Sequence, residues 1–469
     1  MDEITAIFDA ANSASEIITH LKEKSVDVPL WKDLLVFYDP LEHEVVKDKN
    51  ILKDKIRSDG EKEESSRIYI ALEELLSTRM SEFTFAIPVK RVYHNTEDDK
   101  EKQEIANALE KIYKYARIDS ENLKRGKKYF ASCEVFTLWY AVKKKNTLYG
   151  FNSDYKLKCK TYSPMDGYEL YPLFDEHDDM LAMSFQYSKT VDNKTVSYFE
   201  TFTDDKHYKW TNCTGGWEIE DDPEEIKLLK IPGSYIWRQK PIYFPVVNIR
   251  KEIELTVSRN SNIIGYNVAP VLKIAGALRG NEEKGESRRV YRVEAGGDVS
   301  YVSWDQSIEA LKYQVEILLR LAFMQAQLPD LSFDNMKNLG NIGFDARQTL
   351  LTDAHLKVGD EKGPIIEFLE RECNVIKAFL KKMNTSYDEG KIDDIDVEHI
   401  ITPFIQNDEK TDIENRQLAN GGKAIESQLE SIQKYGQSSD PAATLKQIQE
   451  EDKLSARNKS VMDVFNSAE

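Results

Sequence analysis

The sequence predicts a mainly helical α+β fold, and three observations carry that expectation. Apolar residues recur at three- and four-residue steps over 67–79, 99–115 and 364–382 and again over 307–329. Residues 129–237 instead hold short aromatic and β-branched segments separated by turn residues. Between them the helical stretch beginning at Ser307 stops abruptly at Pro329, and a Gly/Asn loop follows.

Taken in order, residues 1–60 read as charged helices with an irregular point at Tyr38-Asp39-Pro40. The run Asp48–Ser66 reads as a solvated surface. An amphipathic helix is expected over Arg67–Arg79, a strand over Phe85–Tyr93 and a helix over Asp99–Tyr115. From Tyr129 the segments YFASCEVFTLWYAVKK, KLKCKTYS, DMLAMSFQYSKT, KTVSYFETFTD and KHYKWTN form an antiparallel sheet region. Turns are placed at Met165-Asp166-Gly167, Asp192-Asn193, Asp204-Asp205 and Gly215-Gly216. A helix is expected over Arg250–Ile274. A charged loop and a short hairpin turning at Gly296-Gly297 follow within Gly276–Asp305.

The helix beginning at Ser307 carries one apolar stripe, Ile308, Leu311, Val315, Leu318, Leu319 and Ala322. About twenty residues at 1.5 Å each give a rod of roughly 30 Å. The stripe suits either ordinary core packing or contact with a neighbouring subunit. After Pro329, Asn335, Lys337, Asn338, Gly340, Asn341 and Gly343 make a polar loop. A helix is expected over Pro364–Lys382. Small polar helices follow from Thr411, broken at Gly421-Gly422, Gly436 and Asp440-Pro441.

The 469 residues leave room for two to four compact domains. A content of 41% hydrophobic and 31% charged residues is that of a globular body with long exposed helices. No apolar run is long enough for a membrane span, and the acidic N-terminal stretch lacks the basic region of a signal peptide. Cys133, Cys159, Cys213 and Cys373 lie far apart, which is the pattern of reduced thiols. The net charge of −18 disfavours a protein that wraps DNA by neutralising phosphates.

Catalytic signatures fail one by one. The chain has no phosphate-binding GxxxxGK[ST] loop, and its seven histidines show no metal-ligand spacing. The acidic run Asp393-Asp394-Ile395-Asp396-Val397-Glu398 reads as solvated carboxylates, without an EF-hand glycine. No metal and no cofactor is expected.

Four segments, in their order and spacing, resemble the portal proteins of long-tailed bacteriophages. SRIYIALEELLSTRMSEFTFAIPVKR resembles the family's early helix running into a strand, with Ala86-Ile87-Pro88-Val89 lacking the usual glycine. LKRGKKYFASCEVFTLWYAVKKK resembles its helix-to-strand passage, in which a glycine (here Gly126) precedes an aromatic strand. Residues 308–346 resemble the stem helix, its Pro-Asp stop and the tunnel loop, with Asn341-Ile342-Gly343 replacing the Ser-Gly phrase. Residues 401–452 resemble the strand exit, helical crown and final helix, with Thr444 or Leu445 where the family has Glu.

The resemblance implies a mainly helical portal fold with an antiparallel β wing region, a two-helix stem, a small α/β clip and a C-terminal helical crown. Mapped here, the wing is 1–249 and 347–407, the stem 250–275 and 307–329, the clip 276–306, the tunnel loop 330–346, and the crown and tail 408–469. It implies a homo-oligomeric ring of about twelve subunits at one capsid vertex of the virion, assembled in the host cytoplasm. The ring would conduct double-stranded DNA during packaging and ejection, without enzymatic activity of its own. Its implied partners are the terminase large subunit, major capsid and scaffold proteins and the head–tail connector, with no membrane. In the clip, Arg279, Lys284, Arg288, Arg289 and Arg292 stand among glutamates and suit intersubunit ion pairs or a docking rim. Two readings from other classes remain open on the residues: a metal-dependent nucleic-acid enzyme using Asp393–Glu398, and a non-viral helical scaffold.

Overall fold

The computed structural model describes residues 13–56, 60–191, 193–212, 215–267, 271–275, 278–284, 288–293, 298–302, 308–330, 351–404, 427–435 and 442–453, and residues 4, 7, 8, 349 and 418 besides. The chain divides into two compact units. One comprises residues 1–340 and 349–404, the other 341–348 and 405–469.

In the first unit, helices α1 (Ala14–Glu23), α2 (Trp31–Tyr38) and α3 (Glu44–Lys47) precede a small β1–β2 pair (Lys55–Ile56, Lys62–Glu63). Helix α4 (Leu72–Phe85) starts five residues later than the sequence suggests and runs six further. Phe83 and Phe85 are buried on its core side, so the expected strand shrinks to β3 (Lys90–Tyr93) beyond Pro88. Helices α5 (Lys100–Ala116) and α6 (Ile118–Ser132) join at Arg117, which takes the left-handed conformation at φ 59°. Helix α6 therefore includes Tyr129–Ser132, which the sequence reading placed in a strand. Tyr129 and Phe130 project into the core from the helix, so aromatic content misled the reading there.

The sheet region is antiparallel throughout. Strands β6 (Glu169–Phe174), β7 (Met180–Val191), β8 (Lys194–Phe202) and β9 (Lys206–Asn212) pair in sequence. The short β10 (Glu218–Ile219) and β11 (Glu224–Glu225) both cap β9. Strands β4 (Glu134–Asn146) and β5 (Ser153–Tyr162) form a second sheet with β12 (Gly233–Trp237). Alternation along each strand sends side chains to opposite faces. Thus Phe136 and Leu138 of β4 meet Met183, Phe185 and Phe202 of the larger sheet in one core. Trp139 and Leu157 point the other way, to α5. Ala182, Phe199 and Trp210 face α1 through Ile18 and Leu21.

After β12 come helix α7 (Val247–Asn267), strands β13 (Val271–Ala275), β14 (Leu278–Lys284), β15 (Arg288–Val293) and β16 (Asp298–Val302), and helix α8 (Ile308–Ala326). Helix α9 (Thr352–Met383) is 32 residues long, about 48 Å at 1.5 Å per residue. It begins twelve residues before the expected start and passes through Pro364. A proline inside a helix costs about 3 kcal/mol. Burial offsets this, because Ala354 and Val358 before it enter the same core as Ile365, Phe368 and Leu369 after it. Its later residues Cys373, Ile376, Phe379 and Leu380 belong to the neighbouring core under α5. A short α10 (Glu389–Asp394) and β17 (Val397–Ile400), which pairs with β3, close the unit.

In the second unit, α11 (Gln428–Tyr435) is described, and residues 442–453 are helical. A capping box starts α11: Glu430 N–H donates to Ser427 Oγ at 3.2 Å, and Ser427 N–H donates to Glu430 Oε2 at 2.9 Å.

Candidate functional site

The segment from α7 to α8 is where the sequence concentrates its functional candidates, and the body grips both of its ends. Arg250, in the first turn of α7, is 1% exposed. Its Nε donates to Glu73 Oε1 of α4 at 2.8 Å, and its Nη1 donates to Glu254 Oε2 at 2.8 Å. Glu254 also lies 2.7 Å from His43 Nδ1 and accepts the Ile70 N–H at 2.9 Å. Burial works to raise the Glu254 pKa, but these donors overcome it and hold the carboxyl below its usual value. Glu73 has one arginine donor and an unpartnered second oxygen, so burial wins and its pKa is raised. Truncating one member of such a buried network leaves an uncompensated charge, a cost of about 3–5 kcal/mol.

The far end of α8 is tied down by packing and by a backbone motif. Ala322, Ala326 and Leu328 are buried in the core shared with α4 and α9. The helix ends three residues before Pro329. Gln327 turns left-handed at φ 56°, its N–H donates to Met324 O at 3.2 Å, and the Leu328 N–H donates to Phe323 O at 3.3 Å. This is a Schellman arrangement with glutamine where glycine is usual. Pro329 then prevents renewal of the helix.

Helices α7 and α8 pack against each other. The expected stripe lies on the face of α8 that carries Ala322 and Ala326. Leu311, Val315, Leu318 and Leu319 are half-buried there, and Ile308 is the first residue of the helix. The opposite face bears a second apolar series missed by the sequence reading. Tyr313 is 66% exposed and Met324 62%, with half-buried Ile317 between them and Leu321 alongside. On α7, Ile263 and Ile264 are exposed as well. Steps of four between 313, 317 and 321 carried that signal all along; the stronger stripe on the other face masked it.

Between the helices the described residues form strands only, which corrects the expected α/β clip. Helix α7 ends at Asn267, and 271–275, expected to be helical, is β13. Val271, Leu272 and Ile274 in a short run favour an extended chain. The expected hairpin at Gly296-Gly297 is replaced by two nested pairs, β13 with β16 and β14 with β15. Arg279 and Lys284 lie on β14, and Arg288, Arg289 and Arg292 on β15. The register sets Arg289 opposite Glu283, Lys284 opposite Arg288, and Arg292 opposite Gly280. Asn335, Lys337, Asn338, Gly340, Asn341 and Gly343 lie outside the described residues.

Elsewhere the body carries a second buried ion pair that sequence reasoning missed. Arg125 of α6 donates to both oxygens of Glu372 of α9, at 2.7 and 2.9 Å, and Trp139 Nε1 donates to Glu372 Oε1 at 2.9 Å. The planar fork and paired carboxylate give the Arg125–Glu372 contact its direction. One residue on, Gly126 allows α4 and α6 to approach. A Cβ there would sit 2.6 Å from Ser81 Oγ and 2.8 Å from the Phe85 ring.

The acidic run near β17 is not a shared ligand cluster. Asp393 pairs with Lys381 at 2.6 Å, Asp394 with Lys102, and Glu398 with His94 at 3.1 Å. Among the described residues no group of three or more His, Cys, Asp or Glu side chains is arranged to hold a metal ion. No described helix is long and apolar enough to cross a membrane. Cys133, Cys159 and Cys373 are free thiols, and burial pushes the first two up to about 12.

The arrangement is that of an α+β protein, a sheet-bearing body with a helix pair interrupted by strands. The sequence matches the model of the family described as phage portal protein, SPP1 Gp6-like, over residues 32–457. The chain belongs to that family of portal proteins, which is structural rather than enzymatic. Solved structures similar to it include a chain from the neck of an empty gene transfer agent (GTA) particle computed with C6 symmetry. That chain is 9% identical, with 84% of this chain and 93% of that one covered and a TM-score of 0.39. A chain from the virion of a native GTA particle is also 9% identical, with 92% and 98% covered and a TM-score of 0.37. No curated protein sequence matches the chain.

Proposed function

We propose that this portal protein forms a homo-oligomeric ring of about twelve subunits at one capsid vertex of the virion. The ring conducts double-stranded DNA inward during packaging and outward during ejection. It docks the terminase large subunit and later the head–tail connector, and it assembles in the host cytoplasm with major capsid and scaffold proteins. The observation that carries the reading is the family match over residues 32–457. The wing is 1–249 with 347–407, the stem 250–275 with 307–329, and the clip 276–306. The tunnel loop is 330–346, and the crown and tail 408–469.

Two physical features support it. The second apolar face of α8, with Tyr313 and Met324 exposed, suits burial against the next subunit of a ring, where each helix meets a different neighbour on each side. The net charge of −18 suits a conduit past which phosphates slide. In the clip, Arg279, Lys284, Arg288, Arg289 and Arg292 serve as the docking rim. In the tunnel loop, Lys337 and the amides Asn335, Asn338 and Asn341, with Gly340 and Gly343, touch the DNA backbone weakly.

Electron microscopy of the purified protein tests the ring, and a monomer at every concentration, even with capsid and scaffold proteins added, refutes it. Deleting 338–343 is expected to leave assembly intact and block DNA filling; normal filling of such particles removes the tunnel-loop assignment.

A further inference from the structure

A lysine-rich hairpin and an acidic sheet edge stand on the same acidic chain without serving each other. Beyond Trp139, β4 leaves the core, and Tyr140 through Lys145 are all exposed. The β4–β5 register places Lys160 opposite Leu138, Lys158 opposite Tyr140 and Lys156 opposite Val142. One face of the hairpin therefore carries three lysines beside Tyr140 and Val142, which are 38% and 36% exposed. Lys160 is held over the rings of Tyr162 and Tyr168. Among the described residues, Lys143, Lys144, Lys156 and Lys158 have no ion-pair partner, and Lys145 stands 3.8 Å from Asp154 with both side chains bare. Like charges on alternate residues of one strand repel, and among the described residues Lys156 and Lys158 have no ion-pair partner to offset this.

The acidic counterpart caps the edge of the larger sheet. Residues 218–225, EIEDDPEE, provide β10 and β11 on the outer side of β9. Glu218, Glu220, Asp221, Asp222, Glu224 and Glu225 are all exposed there. Glu220 reaches Lys209 at 2.5 Å and Glu224 stands 3.7 Å from His207. Glu218, Asp221, Asp222 and Glu225 have no ion-pair partner among the described residues. Ile219, 49% exposed, lies between Glu218 and Glu220 in sequence and opposite Trp210 on β9, so it points to the other face of the strand from those two carboxylates. The two surfaces are thus opposite in sign, and each has exposed apolar side chains close by.

We propose that the β4–β5 hairpin of one subunit docks on the β10–β11 edge of a second copy of this chain. Two different patches on one chain make a head-to-tail contact, the kind that closes into rings. Opposite charge steers the subunits into that order and penalises like-with-like pairing. A second copy suits the hairpin better than nucleic acid. Phosphates would answer the lysines but leave Tyr140 and Val142 facing a charged backbone, whereas the acidic edge offers Ile219. The inference rests on the ring proposed above.

Zero-length carbodiimide cross-linking of a ring assembled from light and isotope-labelled subunits tests it. Cross-links from Lys156 or Lys158 to carboxylates of 218–225 are expected in mixed light–heavy pairs. The variant Lys156→Glu/Lys158→Glu should lose them and assemble at least tenfold less readily at low salt, with an unchanged far-ultraviolet circular dichroism spectrum. Adding Asp221→Lys/Asp222→Lys should restore assembly. Rings that form normally without such cross-links overturn the docking and leave the ring standing. Failure of the charge swap to rescue, or loss of DNA binding by the hairpin variant with normal assembly, also overturns it. A wild-type chain that stays monomeric removes the ring and this contact together.

Discussion

The body and the α7–α8 pair solve the problem of burial in opposite ways. In the body, charges are buried and answered inside one chain: Arg125 by Glu372, and Arg250 by Glu73 and Glu254. In the helix pair the anchored ends are buried, but Ile263, Ile264, Tyr313 and Met324 remain exposed. A chain that gives its buried Arg125 and Arg250 carboxylate partners and yet leaves a series of large apolar side chains bare has divided its contacts. The body answers its buried charges through its own contacts, whereas the helix pair leaves apolar surface exposed that the proposed ring would cover.

That contrast can be broken most forcefully in the body. Glu372→Ala leaves Arg125 buried without its carboxylate and Trp139 without its acceptor. The loss should be about 3–5 kcal/mol, read as a lower denaturation midpoint in urea. An unchanged midpoint shows that the pair holds little of the body together.

Next in size is a pH effect. Burial pushes Glu134 up to about 7, against the donated Tyr235 hydroxyl at 2.7 Å. A carboxyl with a raised folded pKa stabilises fully below its unfolded value, and that contribution is lost as pH rises through the folded one. Between about pH 4.5 and 7 the protein should therefore lose on the order of 3 kcal/mol from this group. Glu134→Gln should flatten that part of the stability profile; an equally steep profile in the variant removes Glu134 as its source.

On the helix pair the expected stability change is small and the assembly change large. Tyr313→Asp with Met324→Asp alters exposed positions, so the subunit should unfold within about 0.5 kcal/mol per site of the parent. Assembly measured by light scattering should nevertheless fall sharply. Assembly at parental levels would mean that this face meets solvent in the ring.

The smallest effect is at the end of α8. Gln327→Gly relieves a left-handed glutamine and should stabilise by at most about 1 kcal/mol. A loss of stability would show that the glutamine side chain matters more than its backbone strain.

Local chemistry was legible wherever neighbours in sequence are neighbours in space. Strands β8 and β9 form within their expected segments, β5 starts three residues before its own and β7 ends one residue past its own, and Asn193 in the β7–β8 turn takes the left-handed φ of 60° that asparagine tolerates. The inward stripe of α8 and the stop before Pro329 were equally readable from spacing. The order of parts, recognised as a portal pattern, sufficed to point to the family.

Tertiary structure decided what depends on residues far apart. Pro364 lies inside α9 because cores on both sides of it bury apolar surface, a sum that no local rule contains. Strand β15 pairs with β14 and β16 with β13, pairings between strands that no local turn signal foretold. Arg125 and Glu372 are 247 residues apart in the chain, and single positions of such charge carry no sign of each other. The sequence by itself determined periodicity, turns and family, because these are written in adjacent residues. Which charges would be buried together, and which apolar face would be left exposed, followed only from packing.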